Sequence, residues 1–343
     1  MVHQIGRLGA GGHIAVVGLT ASGKSKLSLE LAEALGSSEI VSIDSMSVYR
    51  GMDIGTAKPG RAERSQVPHH LLDIVDPSEE FSLAQFTAAA QEVIRAIEAR
   101  GHRVVLVGGT ALYMRAVVDG LDLPGRWPEV RAGLEEKVES GGQKALRNLY
   151  LRLAELDPLA ASRMDPMNHR RVLRALEVTL GSGRPFSSFG PGLATYRPTA
   201  CLMVGVRHAP CIQDRRIYDR VQRQMAQGFL GEVEALAACP GGLSRTARQA
   251  LGYRELLGYL GGRCSLDQAV DETVRRTRHF ARRQWAWFRR DPRIRWVDPH
   301  EDALDTIVSW TKALERSGTL TDEHQGGSAG KATACRGADS ARL

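Results

Sequence analysis

The sequence predicts an α/β fold: a parallel sheet flanked by helices, with an all-helical domain inserted into it. Three observations carry this. Short apolar runs alternate with helical patterns through Val107. A glycine-bounded loop joins the first run to the first helix. From about residue 123 to 183 the pattern turns wholly helical before apolar runs resume.

Taken in order, His13–Val17 is a short apolar run, and Ser25–Leu35 carries Leu27, Leu31 and Leu35 at helical spacing. Glu39–Ile43 is a second β-branched run and Leu71–Val75 a candidate third. Phe86–Ala99 predicts a helix and Arg103–Val107 a strand buried on both faces. The rhythm breaks near Leu123–Pro128. Asp157-Pro158 and Asp165-Pro166 each place a cap residue before a proline suited to a first helical turn. Pro185–Pro198 is expected to be a loop and Thr199–Val206 a strand. Asp214–Ala238 and Leu266–Arg290 predict long helices, and Ile294–Val297 a last strand. The expected domains are a discontinuous core, 11–125 with 199–312, and a helical insertion, 126–198. The tail, 317–343, has few apolar residues and is expected to be disordered.

The 343 residues lack any apolar run of the roughly 18 residues that a membrane helix needs, and the N-terminus has no signal-peptide pattern. No membrane partner is expected. The five cysteines, Cys201, Cys211, Cys239, Cys264 and Cys335, are scattered, with no CxxC pair, so neither a disulfide framework nor a zinc site is suggested and a reducing cytoplasm is expected. The net charge of +7, mostly from Arg, suits a polyanionic partner and equally a solvated surface. Nothing in the pattern bears on oligomeric state; a monomer is the working expectation.

Gly18-Leu19-Thr20-Ala21-Ser22-Gly23-Lys24-Ser25 fits GxxxxGK[ST] at every fixed position. The glycines let backbone N–H groups wrap a diphosphate, Lys24 supplies a point charge, and Ser25 offers a hydroxyl to Mg²⁺. A chance match in a chain of this length is on the order of one in a hundred. The fold is therefore expected to be P-loop NTPase-like. NTPases of this kind usually hold Mg²⁺ with an Asp ending a second buried strand. Here Val104–Val107 runs into Gly108-Gly109-Thr110, which counts against a hydrolase.

The second run ends Ile43-Asp44-Ser45. A carboxylate at the C-terminal edge of a parallel strand lies where such sheets bind ligands. A helix cap or loop Asp would occupy the same place. The stretch Asp44-Ser45-Met46-Ser47-Val48-Tyr49-Arg50-Gly51-Met52-Asp53-Ile54-Gly55-Thr56-Ala57-Lys58-Pro59 resembles a signature of the tRNA dimethylallyltransferases, or tRNA isopentenyltransferases. The resemblance continues through Pro68–Asp73, Val107–Tyr113, Arg170–Val178, Gln249–Glu255 and Arg282–Arg289, in order from about residue 14 to 298. Leu19 stands where many members have Pro, Ser47 where Gln is frequent, and His279 where Gln commonly follows Arg. The Cys/His zinc finger of many eukaryotic members is missing, so the resemblance is to the bacterial type.

The resemblance implies dimethylallyl diphosphate as donor, N6 of the adenosine 3′ to a tRNA anticodon as acceptor, and Mg²⁺ as cofactor. Asp44 would accept the N6 proton, with Thr110 and Arg254 also implied at the catalytic centre. The implied tRNA contacts are Asp44, Ser45, Met46, Ser47, Thr110, Arg131, Arg170, Arg171, Arg174, Gln249, Gly252, Tyr253 and Arg254. Arg170 and Arg174 are four apart and so share a helical face, which would grip the anticodon stem-loop or would simply be solvated. Trp285 and Trp287 lie among Arg275, Arg278, Arg282 and Arg289 on the last long helix. They could stack bases, but such residues are more often core, and one is expected to pack on the α/β domain. A prenyltransferase acting on free adenine nucleotides, a P-loop kinase and a non-catalytic RNA-binding protein are the rival readings. The helical insertion, the missing second-strand Asp, and the joint presence of Lys24, Ser25 and Asp44 argue against them in turn.

Overall fold

A computed structural model describes residues 12–190, 192–299 and 302–317. Its sheet has six strands: β1 Ile14–Gly18, β2 Ser38–Ser42, β3 His69–His70, β4 Arg103–Gly108, β5 Leu202–Val206 and β6 Ile294–Val297. Their order is β3-β2-β4-β1-β5-β6, and every pairing is parallel. Side chains of a strand alternate between faces, and here both faces are dry. Ala15, Val17, Val41, Leu106 and Met203 enter one core cluster, whereas Ile14, Val16, Ile40, Val105 and Val204 enter another. The near-continuous apolar runs follow from this double burial.

The helices are α1 Lys24–Leu35, α2 Arg61–Gln66, α3 Leu83–Ala99, α4 Ala111–Val118, α5 Pro128–Leu156, α6 Pro158–Ser162, α7 His169–Ser182, α8 Pro210–Ala226, α9 Phe229–Ala238, α10 Tyr253–Leu260, α11 Leu266–Phe288 and α12 Ala303–Ser317. Local sequence sets several boundaries. Ser82 with Gln85 and Ser265 with Gln268 form capping boxes that start α3 and α11. Gly183, at φ 69°, closes α7.

The chain divides into two compact units, one comprising the chain up to Val118 and from Pro198 onward, the other Asp119–Arg197. The second unit is wholly helical and has its own core of Leu134, Leu146, Leu149, Leu153, Val172, Leu173 and Leu176. Its α5 is broken at Gly142, which lies outside helical φ/ψ. Asp157 caps α6 through Ala160 N, with Pro158 in the first turn. Asp165 instead closes a turn by accepting from Met167 N, and α7 is capped by Asn168.

Two further expectations need correction, and one helix was not expected. The third strand is His69–His70, because Leu71 and Asp73 adopt positive φ and only Val75 resumes pairing, through an isolated bridge to Tyr49. The helix expected over Asp214–Ala238 is two helices, separated at Gly228 with φ 95°. α12, not anticipated, packs on α1 and completes the second core cluster through Ile307 and Leu314. The expected tail lies outside the described residues from 318 onward. No helix among the described residues is long and apolar enough to cross a membrane.

Candidate active site

β1 lies between β4 and β5, so the loop after β1 sits between the chain leaving each neighbour. Gly18 enters this loop where a Cβ would meet Val206 O at 2.7 Å and Ser22 Oγ at 2.8 Å, so no side chain fits. Ala21 and Gly23 take positive φ, 62° and 91°, which lets successive peptides curl around the start of α1. Lys24 opens α1, and its Nζ reaches back to donate to Leu19 O at 3.2 Å. Ser25 is exposed in the same turn. The positive end of α1 therefore points into a curl of backbone amides beside an ammonium group.

Side chains that sequence reasoning did not single out hold the loop. His208 Nε2 bonds Ser22 O at 3.0 Å, Gln213 Nε2 donates to Thr20 O at 2.6 Å, and Arg216 Nε donates to Ala21 O at 2.8 Å. Three successive carbonyls are thus tied outward. Arg220, one turn along α8, donates to Thr20 Oγ1 at 3.2 Å. The i,i+4 spacing of Arg216 and Arg220 after a Pro-started helix was the only signal in the sequence. Burial above all, with the Arg220 charge adding to it and Asp44 opposing both, lowers the Lys24 pKa to about 8. Burial likewise depresses Arg220, again against the pull of Asp44. The loop therefore concentrates positive charge that is costly to keep in the absence of an anion.

Asp44 follows β2. Its Oδ1 accepts from Met46 N at 2.8 Å and from Ser47 N at 3.3 Å; Oδ2 takes no part in either bond. The turn keeps Ser45 and Met46 half-buried and Ser47 buried. Gly108 at the end of β4 lies so near Ile43 O that a Cβ there would sit 2.1 Å away, which brings the Gly109-Thr110 turn alongside Asp44. Lys24, Arg220, Asp44 and Thr110 thus converge on the C-terminal edge of the sheet.

The segment after Asp44 is clamped. Lys58, 1% exposed, donates to Tyr49 O at 2.5 Å, Asp53 Oδ1 at 2.8 Å and Asp73 Oδ1 at 2.6 Å. Glu232 on α9 accepts from the backbone N of Asp53, Ile54 and Gly55 at 2.9, 2.7 and 3.1 Å. It also accepts from Tyr253 Oη at 2.6 Å. Tyr253 is fully buried, so its hydroxyl serves this clamp; burial and the Glu232 charge hold the phenol protonated. Gly252, at φ 86°, turns the chain into α10 against Phe229. Arg254 and Gln249 are exposed beside it, linked at 3.4 Å.

The remaining basic candidates lie in the helical unit. Arg170 and Arg171 are exposed at the start of α7. Arg131 pairs with Glu135 at 2.7 Å. Arg174 is turned inward: it donates to Glu177 Oε1 at 2.6 Å and to the carbonyls of Pro124 and Gly125 at 2.8 and 2.9 Å. Of the departures noted above, Leu19 is buried against Ile217, Ala281 and Trp285, Ser47 is buried, and His279 is exposed. Trp285 is thus half-buried beneath the loop, edge-on against Trp296.

A curl of backbone amides at the start of α1 beside a carboxylate, with no Asp at the end of β4, marks a group-transfer enzyme on a P-loop NTPase-like fold. The IPP transferase family model matches residues 47–291. A tRNA dimethylallyltransferase of Geobacter metallireducens is 46% identical over 298 residues, 86% of this chain and 95% of its own. One from Streptomyces coelicolor is 49% identical over 284 residues, covering 83% and 89%. The crystal structure of the full-length tRNA isopentenylpyrophosphate transferase from Bacillus halodurans superposes with a TM-score of 0.64 at 37% identity, covering 88% of this chain and 97% of that one. The chain belongs to the IPP transferase family.

Proposed function

We propose that this enzyme transfers a dimethylallyl group from dimethylallyl diphosphate to N6 of the adenosine 3′ to the anticodon in tRNA, releasing diphosphate. The observation that supports this most is the placement of Asp44, a carboxylate whose charge is felt by both Lys24 and Arg220 at the mouth of a phosphate loop. The adenine amine is a weak nucleophile because its lone pair is delocalised into the ring. As the N6–C bond forms and the allylic C–O bond breaks, Asp44 takes the N6 proton. The bonding electrons leave with the diphosphate, whose growing charge meets Lys24, Arg220 and the loop amides. The acceptor base is extruded from its stack, at a cost of a few kcal/mol that is smallest in a single-stranded loop.

The residues fit Mg²⁺. Ser25 offers an exposed hydroxyl oxygen, and no cluster of three His, Cys, Asp or Glu side chains among the described residues would form a cage. Magnesium ions commonly take such a site, held largely by substrate phosphates and water. Two buried polar atoms beside the loop, Ser22 Oγ and Gln213 Oε1, have no hydrogen-bond partner among the described residues. Unpaired atoms of this kind suit a cradle whose polar groups are set for a further ligand. When bound, the ion neutralises charge on the leaving diphosphate.

The enzyme acts in the cytoplasm as a monomer in this reading. Single-turnover reaction with labelled dimethylallyl diphosphate and an anticodon stem-loop, followed by mass spectrometry of the nucleosides, tests it. The expected product is N6-dimethylallyl adenosine. ATP turnover without prenyl transfer would point to a kinase instead.

Arg170 and Arg171, being exposed, are the insertion's phosphate contacts, whereas Arg174 holds the insertion's own Pro124–Gly125 turn. The double substitution Arg170→Ala, Arg171→Ala is expected to weaken tRNA binding and to lower the slope of log K against log salt by roughly one to two, since each phosphate contact releases counterions. An unchanged slope would make these two a bare solvated face.

A further inference from the structure

We infer that Gln284 is a positioning residue for the donor site. Its side-chain carboxamide fastens the phosphate loop to the turn that carries Thr110. The inference rests on the reading of the loop as a diphosphate cradle. Gln284 lies on α11, 264 residues from the loop, and is 5% exposed. Its Oε1 accepts from Thr20 N at 2.8 Å and its Nε2 donates to Gly109 O at 2.8 Å. Both ends of one buried amide are therefore satisfied, one by each of the two segments that meet at the reacting centre. No other side chain of this length offers a neutral donor and a neutral acceptor together.

Two further observations show that the bridge is built into the packing. An ideal Cβ on Gly109 would fall 2.3 Å from Gln284 Nε2, so the glycine leaves room for the carboxamide and for nothing larger. Its helix neighbours Ala281 and Trp285 pack beneath Leu19, which fixes α11 against the underside of the loop. The Thr20 residue is then held from both sides: its amide by Gln284 and its carbonyl by Gln213. With the Thr20 amide turned toward α11 and the Ser22 amide donated to Leu19 O at 3.2 Å, the amides from Gly23 into the first turn of α1 are left to face the diphosphate. The loop is held in its binding shape before the donor arrives, and the donor does not have to order it.

A positioning role differs from a merely structural one in what it moves. Gln284→Met keeps the length and removes both hydrogen bonds. Gln284→Asn keeps a carboxamide but is one methylene too short to span both partners. With either variant we expect the KM for dimethylallyl diphosphate and the Kd for inorganic pyrophosphate to rise together, by about tenfold, the scale of losing a buried hydrogen bond or two. The single-turnover rate at saturating donor and the Kd for an anticodon stem-loop are expected to stay within about threefold. Amide hydrogen exchange is expected to quicken in residues 18–25 and not in α3 or α7. Folded Gln284→Met and Gln284→Asn proteins that bind pyrophosphate as the wild type does would overturn the inference. So would failure of both to fold, which would make Gln284 a plain structural residue. Wild-type protein that binds no pyrophosphate would instead refute the reading of the loop itself, and the inference with it.

Discussion

Lys24→Ala is expected to slow prenyl transfer by roughly a hundredfold or more, the scale on which a buried donor to a developing anion acts. The ammonium lies at the start of α1, among loop amides, with Arg220 close enough to lower its pKa. In the proposed reaction its loss removes charge from the place where the leaving diphosphate gathers it. Affinity for an anticodon stem-loop is expected to be unchanged. Thermal stability is expected to hold or rise. The Lys24 pKa is about 8 in the folded protein against an ordinary 10.5, so the unfolded chain holds more protons between those values. The charged form therefore costs native stability fully below pH 8, and the cost fades as pH rises toward 10.5. The same pKa sets a pH dependence in the wild type. Donor binding uses the charged form, so pyrophosphate affinity is expected to fall by about tenfold between pH 7 and pH 9. Binding above pH 8 should take up a proton, visible as a buffer-dependent heat in calorimetry. A Lys24→Ala enzyme with near-normal transfer at saturating donor would remove Lys24 from the diphosphate site.

The sheet and the loop were legible because each is written locally. Ile14–Val17 and Val104–Val107 are apolar without alternation, which only a strand buried on both faces explains. GxxxxGK[ST] fixes glycine where Gly18 has no room for a Cβ. What was not legible depends on contacts between distant segments or on backbone angles with no residue signature. Leu71 and Asp73 are not glycine, yet both take positive φ and end the third strand two residues after it begins. His208, Gln213, Arg216, Arg220 and Gln284 hold the loop from roughly 190 residues or more away, and nothing about a glutamine in a helix announces a bridge. Helical spacing put Arg170 and Arg174 on one face. It could not show that Arg174 donates through Nη2 to the Pro124 and Gly125 carbonyls and through Nη1 to Glu177. Tyr253 belongs to a recognisable stretch, but its partner Glu232 was invisible, and that pairing makes the Tyr253 hydroxyl part of the clamp around residues 53–55.

Asp44→Asn separates chemistry from scaffolding most sharply. The substitution keeps the size of the side chain, and an amide oxygen can still accept from Met46 N and Ser47 N, so the turn after β2 is preserved. What disappears, in the proposed reaction, is the acceptor for the N6 proton. The chemical step is expected to slow by about a hundredfold or more, the usual range for removal of a general base. Donor affinity should be intact or tighter at pH 7, because the negative charge facing Lys24 and Arg220 is gone. That same loss removes the interaction that raises the Lys24 pKa. Donor binding in the variant is therefore expected to decline at lower pH than in the wild type, which reports the Asp44 charge beside Lys24 whatever its role in the chemistry. A structural role predicts the opposite pattern: a lowered melting temperature with activity per folded molecule preserved. Single-turnover rates on an anticodon stem-loop, taken beside a melting curve and a pyrophosphate titration at pH 7 and pH 9, distinguish the two. A stable Asp44→Asn protein with the wild-type single-turnover rate would end the assignment of Asp44 as the base, and would move the search for the proton acceptor to Thr110 or to solvent.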